Sequence, residues 1–180
     1  MDSVIVVTAL ATLAAYVWSL KRHFVAGDMS GGARVVSAGV AITAVLYLFL
    51  TLWGEQPLWA QAVGLALQLA AGALFFWAIA ASREARLDFA FTPEKPHGLV
   101  ETGPYRHIRH PFYTSYIVFW TGWALATWSA YALLALIVLI ALYVVAARAE
   151  EEKFSQTPLA PAYAAYKRRT GFFWPRLGRE

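Results

Sequence analysis

Four stretches of this chain run without a charged side chain over unusual lengths. They cover residues 3–20, 35–53, 58–81 and 112–147. A helix needs about 20 predominantly apolar residues to cross the hydrocarbon core of a bilayer, and the first three runs are close to that length. Uncharged runs of this length predict transmembrane helices rather than the core helices of a soluble domain.

The fourth run is too long for one crossing. A single helix over residues 112–147 would measure about 54 Å, whereas the hydrocarbon core is about 30 Å thick. We therefore predict a hairpin of two helices that turns near Thr127-Trp128-Ser129. The sequence predicts an all-α membrane bundle with five transmembrane helices, four being the alternative. The composition agrees, since 59% of the residues are hydrophobic and only 14% are charged.

The polar residues are distributed unevenly along this single predicted domain of residues 1–180. The first 81 residues form three spans, in which Gly64 and Gly72 suit close helix packing. Most of the polar and charged residues lie in two segments, 82–111 and 148–180. We expect residues 82–180 to form the functional part, comprising a loop, the helical hairpin and a tail.

Basic residues also predict the orientation. Lys and Arg are found in segments 21–34, 82–111 and 148–180, whereas loop 54–57 contains only an acidic charge and the hairpin tip none. Cytoplasmic loops carry the excess of Lys and Arg. We expect a multi-pass protein with its N-terminus outside and its C-terminus in the cytoplasm. Anionic membrane lipids account for the net charge of +4, so no nucleic-acid partner is expected.

The absence of cysteine excludes disulfides and thiolate chemistry. His107 and His110 have a spacing that could suit a metal pair, but neither cysteine nor a carboxylate cluster accompanies them in the sequence. We therefore predict no metal site.

Proline and glycine organise the two polar segments. Residues 93–104 contain five of them, which predicts a loop before the hairpin. In the tail, the last span is expected to continue to about Phe154, and Pro161 is expected to start a short helix that ends before Gly171. Tyr163 and Tyr166 share one face of that helix, which favours docking of the tail.

Both polar segments adjoin the hairpin, so their side chains are expected to face each other across its base. This would bring Arg109 and His110 near the acidic run Glu150-Glu151-Glu152, of which we expect Glu150 to be a solvated helix end. Arginine binds carboxylates, a glutamate accepts hydrogen bonds from ribose hydroxyls, and tyrosine rings stabilise cations. The predicted pocket therefore suits a zwitterionic, partly aromatic small molecule.

The segment HGLVETGPYRHIRHPFY, followed by EEKF and then YAAYKRRTGFFWPRL, resembles the isoprenylcysteine carboxyl methyltransferase family. Phospholipid N-methyltransferases share this C-terminal pattern. The resemblance covers roughly residues 95–178. It implies an integral-membrane enzyme that uses S-adenosylmethionine without a Rossmann domain and methylates a lipophilic acceptor, most simply a carboxylate of the isoprenylcysteine type.

The resemblance also implies a set of site residues. The catalytic residues would be Arg109, Arg148, which would point toward the acceptor, and Glu152. The cofactor would be bound by His97, Gly98, Leu99, Val100, Tyr105, His110, Pro111, Phe112, Tyr113, Glu151 and Glu152. Ser115 departs from the pattern, because the family usually has glycine there, and Arg148 lies three residues before Glu151 rather than about four.

Two other functions fit part of the sequence. Sterol reductases have a similar Arg-His-Pro ending, so a membrane reductase that uses NADPH is one alternative. A non-enzymatic membrane protein that binds lipid and retains the motif is the other. Binding of S-adenosylhomocysteine rather than NADPH would distinguish the leading prediction from both.

Overall fold

A computed structural model describes residues 1–23, 31–84 and 99–176, and these residues form an all-helical bundle. The only β pairing among them is a single parallel bridge between Ile108 and Gly171. The elements are α1 Asp2–His23, α2 Gly31–Trp53, α3 Leu58–Glu84, a 3₁₀ turn Gly103–Arg106, α4 Pro111–Thr127, α5 Ala130–Ser155 and α6 Ala160–Arg169.

Four of these helices, α1, α2, α3 and α5, are long and apolar enough to cross a membrane. The shorter of the two hairpin helices is α4. Its 17 residues span about 25 Å, which is close to the lower limit for a crossing. The predicted turn is confirmed, because Trp128 ends α4 in the left-handed conformation with φ 49°. The chain is therefore a multi-pass, all-α membrane bundle.

Exposed aromatic side chains mark the two ends of the bundle. At one end the ring of Trp59 packs against Trp128, with centroids 4.7 Å apart, and Gln61 there donates a hydrogen bond to Asp2. At the other end of α3, Trp77 is also exposed. Trp59 and Trp77 are separated by about 27 Å of helix, which matches the spacing of the two aromatic belts at a bilayer.

The closest helix packing joins α3 to α4 through small residues. A Cβ atom on Gly64 would lie 2.4 Å from the carbonyl oxygen of Gly122, and one on Gly122 would lie 2.7 Å from that of Gly64. Glycine at both positions lets the two backbones approach each other. The expectation for Gly72 is wrong, because a Cβ there would meet no atom within 4 Å.

Hydrogen bonds connect the helices inside the bundle. Trp120 donates to the Tyr143 hydroxyl at 3.0 Å, and Trp123 donates to Thr51 Oγ1 at 3.1 Å. Such bonds are required because hydrocarbon offers no partner to a buried N–H group. Gln68 is the exception, since its fully buried amide has no partner among the described residues.

The tail folds back onto the loop before α4. The predicted short helix is confirmed as α6, with proline in its first turn. The chain then passes alongside residues 107–110, where Gly171 donates to the His107 carbonyl at 3.0 Å and accepts from the Arg109 amide at 2.9 Å. A side chain at position 171 would collide with the Trp174 carbonyl, so this close approach requires glycine.

Candidate functional site

The main chain fixes Arg109 and His110 before α4 begins. The His110 amide donates to the Phe172 carbonyl at 3.3 Å, and Pro111 starts α4, where no amide donor is needed. Thr114 donates to the His110 carbonyl at 3.1 Å and lies 2.8 Å from that of Phe173. The two motif side chains are therefore presented from a braced junction between loop, helix and tail.

Glu151 is the centre of a polar cluster at the end of α5. Its Oε1 lies 2.6 Å from Arg109 Nε and 3.3 Å from His110 Nε2, while its Oε2 lies 2.6 Å from Lys167 Nζ. The side chains of Arg109 and Glu151 are only 11% and 10% exposed. Charges removed from water in this way must be paired, so Glu151 ties α5 to the loop and to α6.

Glu150 contacts the site as well, which contradicts the expectation of a solvated helix end. Its Oε1 accepts a hydrogen bond from the Tyr113 hydroxyl at 2.6 Å, and its Oε2 lies 3.7 Å from His110 Nδ1. The Glu150 side chain is 28% exposed. This carboxylate has fewer partners than that of Glu151 and is the more available to a ligand.

Tyrosine rings from three helices pack together next to Tyr113, whose hydroxyl contacts this carboxylate. The centroids of Tyr113, Tyr116 and Tyr143 lie 5.7 to 6.0 Å from one another, and the ring of Tyr16 from α1 lies 4.6 Å from that of Tyr116. Tyr113 and Tyr116 remain only half-buried. The electron-rich faces of such rings attract cations, so this wall and Glu150 favour a positively charged group.

Tyr105 holds the other side of the junction. Its carbonyl accepts a hydrogen bond from the Tyr166 hydroxyl at 2.7 Å. Burial raises the pKa of both Tyr105 and Tyr166 above the ordinary value, so both phenols stay protonated at neutral pH and Tyr166 serves as the donor. The predicted docking of the tail through Tyr163 and Tyr166 is therefore confirmed, since both rings are buried.

The remaining predicted site residues fall into three groups. Pro111 and Val100 are buried, and Phe112 packs its ring 5.5 Å from that of Phe75. Glu152 and Arg148 are exposed, and the Glu152 carboxylate accepts a local hydrogen bond from the Gln156 side chain. The other positions are half-buried Leu99, next to Val100, and His97 and Gly98, which lie outside the described residues.

Sequence reasoning missed Glu150 and Lys167, and only the packing of α5 shows which of the three glutamates face the site. The buried stripe of α5 runs through Leu136, Leu139, Tyr143 and Ala147. One further step of four residues reaches Glu151, and Glu152 is about 100° further around the helix. Lys167 is one of the tail cations that predict the cytoplasmic side, and the structure shows that it also follows Tyr166 on the docked helix and pairs with Glu151.

The fold and this cluster define a class of protein, namely a multi-pass helical membrane protein with a braced polar site at one end of its final hairpin. A family model described as phospholipid methyltransferase matches residues 59–160. The match covers more than half of the chain and includes α3, α4 and α5. The chain therefore belongs to the phospholipid methyltransferase family, whose members are membrane methyltransferases that act on lipid.

The match confirms the prediction of a membrane methyltransferase, while the assignment to the isoprenylcysteine branch in particular stays a prediction. No curated protein and no solved structure gives a significant match to the chain. Among the described residues, no group of three His, Asp or Glu side chains is arranged to hold a metal ion.

Proposed function

We propose that this protein transfers a methyl group from S-adenosylmethionine to a lipophilic acceptor in the membrane. The observation that supports this most is the convergence of Tyr113 and His110 on Glu150, with Glu151 bracing the same junction. This places a partly available carboxylate and half-buried aromatic faces at the polar end of a membrane hairpin. The family match supplies the class of reaction.

The donor set fits S-adenosylmethionine. Glu150 would accept hydrogen bonds from the ribose hydroxyls or from the amino group, and the faces of Tyr113 and Tyr116 would lie against the positive centre. His97, Gly98, Leu99 and Val100 stay predicted contacts from the loop. When bound, the cofactor supplies an already activated methyl group, so the protein has mainly to align the acceptor and exclude water.

The geometry redistributes the roles that the sequence predicted. The Arg109 guanidinium donates hydrogen bonds to Glu151 at 2.6 Å and to the Thr170 carbonyl at 2.5 Å. These contacts suit a residue that positions the tail. Glu152 is exposed, so we assign its expected role to Glu150. Arg148 is exposed and has no partner among the described residues, which leaves it available to an anionic group of the acceptor.

Two acceptor chemistries are compatible with this site. A carboxylate of the isoprenylcysteine type needs no base at neutral pH, and Arg148 would pair with it, so this remains the leading proposal. The second candidate is a lipid amine, which would first have to lose a proton. The match to phospholipid methyltransferases and the carboxylate of Glu150 among the tyrosine rings favour it.

Isotope labelling tests both parts of this proposal. Cells that express the chain would be fed methionine with a deuterated methyl group, and their lipid extract analysed by mass spectrometry. We expect a lipid with a trideuteromethyl group that is absent from cells expressing Glu150→Gln. Mild alkali removes the label from a methyl ester and leaves it on an amine. Label found only in water-soluble compounds would contradict the proposal.

A further inference from the structure

A second surface lies beside the polar cluster, and Phe173 contributes to both. It is an apolar groove of about 300 Å³ between α3, α4 and the returning tail. On α4 it uses Thr114 and Val118 rather than Tyr113, which contacts Glu150. The walls also include Ala70, Leu74 and Trp77 of α3, Pro104, His107 and Ile108 of the loop, and Phe173, Trp174 and Pro175 of the tail.

The groove is lined almost entirely by apolar atoms and offers little to a polar ligand. The indoles at its edge, Trp77 and Trp174, are 51% and 63% exposed. Its one hydroxyl, on Thr114, is already bonded to main-chain carbonyls. The α3 wall from Ala70 to Trp77 is about 10 Å long, so the shape suits part of an alkyl chain lying along the helix.

Exposed arginines adjoin residues of the groove in the sequence. His107 lines the groove, and the exposed residues Arg106 and Arg176 are the neighbours in sequence of lining residues. Arg176 donates to the Arg168 carbonyl, and neither guanidinium pairs with a carboxylate among the described residues. In contrast, nearby Arg169 is neutralised by Glu101 at 2.5 Å. Basic groups at a membrane surface attract anionic headgroups, at about 1 kcal/mol per cation.

We infer that this groove is a binding site for an anionic phospholipid, with one acyl chain between α3 and α4 and the headgroup phosphate beside Arg106, His107 and Arg176. The alkyl chain would pack against the apolar walls, and the phosphate would pair with Arg106 and Arg176, which have no carboxylate partner among the described residues. The site does not depend on the proposed methyl transfer, because none of these groups contacts Glu150 or Glu151.

Native mass spectrometry of the purified full chain in detergent tests the site, with phosphatidylglycerol and phosphatidylcholine of identical chains as probes. We expect tighter binding of phosphatidylglycerol, and we expect the double variant Arg106→Gln/Arg176→Gln to weaken it by about tenfold or more. Lys153→Gln removes one exposed cation of α5 that does not line the groove, and this single-charge control is expected to leave the preference unchanged.

Filling the groove tests its apolar part. Ala70→Phe places a ring in the groove from an exposed position and should abolish retention of both lipids, while Ala73→Phe places the same ring on an exposed α3 position that does not line the groove. Equal retention by the two variants, or equal binding of phosphatidylglycerol and phosphatidylcholine by the unaltered chain, would overturn the inference. Circular dichroism of each variant verifies that it has folded.

Discussion

At the residue scale, Glu151 is the side chain on which the arrangement of the site most depends. It pairs with Arg109 from the loop and Lys167 from α6, and its neighbour Glu152 points into solvent. The two glutamates lie on the same helix and carry the same charge, but their surroundings differ. They therefore form a natural pair for comparison.

We predict that Glu151→Gln destabilises the protein and that Glu152→Gln does not. Removing the Glu151 charge leaves Arg109 nearly buried without its counter-ion, which costs about 3 kcal/mol and should lower the melting temperature by at least about 5 °C. Thermal unfolding in detergent, followed by circular dichroism, measures the difference. Equal melting temperatures for the two variants would show that the ion pair does not hold the tail.

The sequence indicated which segments meet but not which glutamate faces the site. The motif pieces predicted that the loop before α4 and the end of α5 would lie close together, and the contact between Arg109 and Glu151 agrees. Three consecutive glutamates leave the register open, because each step turns a helix by about 100°. Only the packing of Tyr143 and Ala147 decides that Glu150 and Glu151 face inward.

At the scale of the helices, the contact between α3 and α4 depends on two glycines. We predict that Gly64→Ala forces these helices apart, since the new methyl group would lie 2.4 Å from a main-chain oxygen. Such overpacking costs about 1–3 kcal/mol. Gly72→Ala is the matched control on the same helix and should be neutral or slightly stabilising, because nothing lies within 4 Å. Chemical denaturation in mixed micelles would compare the two, and a larger loss for Gly72→Ala would contradict the packing.

Ser115 connects α1 to the rest of the bundle. Its hydroxyl donates to the Ala71 carbonyl at 2.9 Å and lies 2.8 Å from the Tyr16 hydroxyl. We predict that Ser115→Ala costs about 1 kcal/mol, the usual size of hydrogen bonds between membrane helices. Ser155→Ala, which removes an exposed local hydrogen bond, is the control. Unfolding free energies that do not differ would argue against this connection.

Helix positions followed from the sequence far better than helix contacts. Uncharged length alone predicted α1, α2, α3 and the turn at Trp128, because hydrocarbon penalises charge and unpaired backbone alike. The same composition made Gly64 and Gly72 look equivalent, and only the position of α4 distinguishes them. The bond between Ser115 and Tyr16 joins residues 99 positions apart, which no local pattern records.

At the scale of the whole molecule, the helix ends lie at two opposite ends of the bundle. Asp2, Gln61 and Trp128 lie at one end, while the junction of Arg109 with Glu151 lies at the other. The positive-inside rule assigns the second end to the cytoplasm. This orientation is a proposal, which the absence of cysteine makes simple to test.

We predict that a single cysteine in Glu55→Cys reacts with a membrane-impermeant maleimide in intact cells. Arg168→Cys should react only after the membrane is opened, because we place its end of the bundle in the cytoplasm. Both positions are exposed, so accessibility to the reagent depends on sidedness alone. The cysteine-free parent chain is the blank. The opposite labelling pattern would reverse the proposed orientation.

We propose that Glu150, braced by the junction around Glu151, forms a site for S-adenosylmethionine. Isothermal titration calorimetry of the detergent-purified chain with S-adenosylhomocysteine tests it most directly, with NADPH titrated in parallel. We expect S-adenosylhomocysteine to bind and NADPH not to bind. Glu150→Gln should weaken the binding of S-adenosylhomocysteine about tenfold or more, and Glu152→Gln should leave it unchanged. Binding of NADPH, or binding of S-adenosylhomocysteine that is lost in Glu152→Gln and retained in Glu150→Gln, would contradict the proposal.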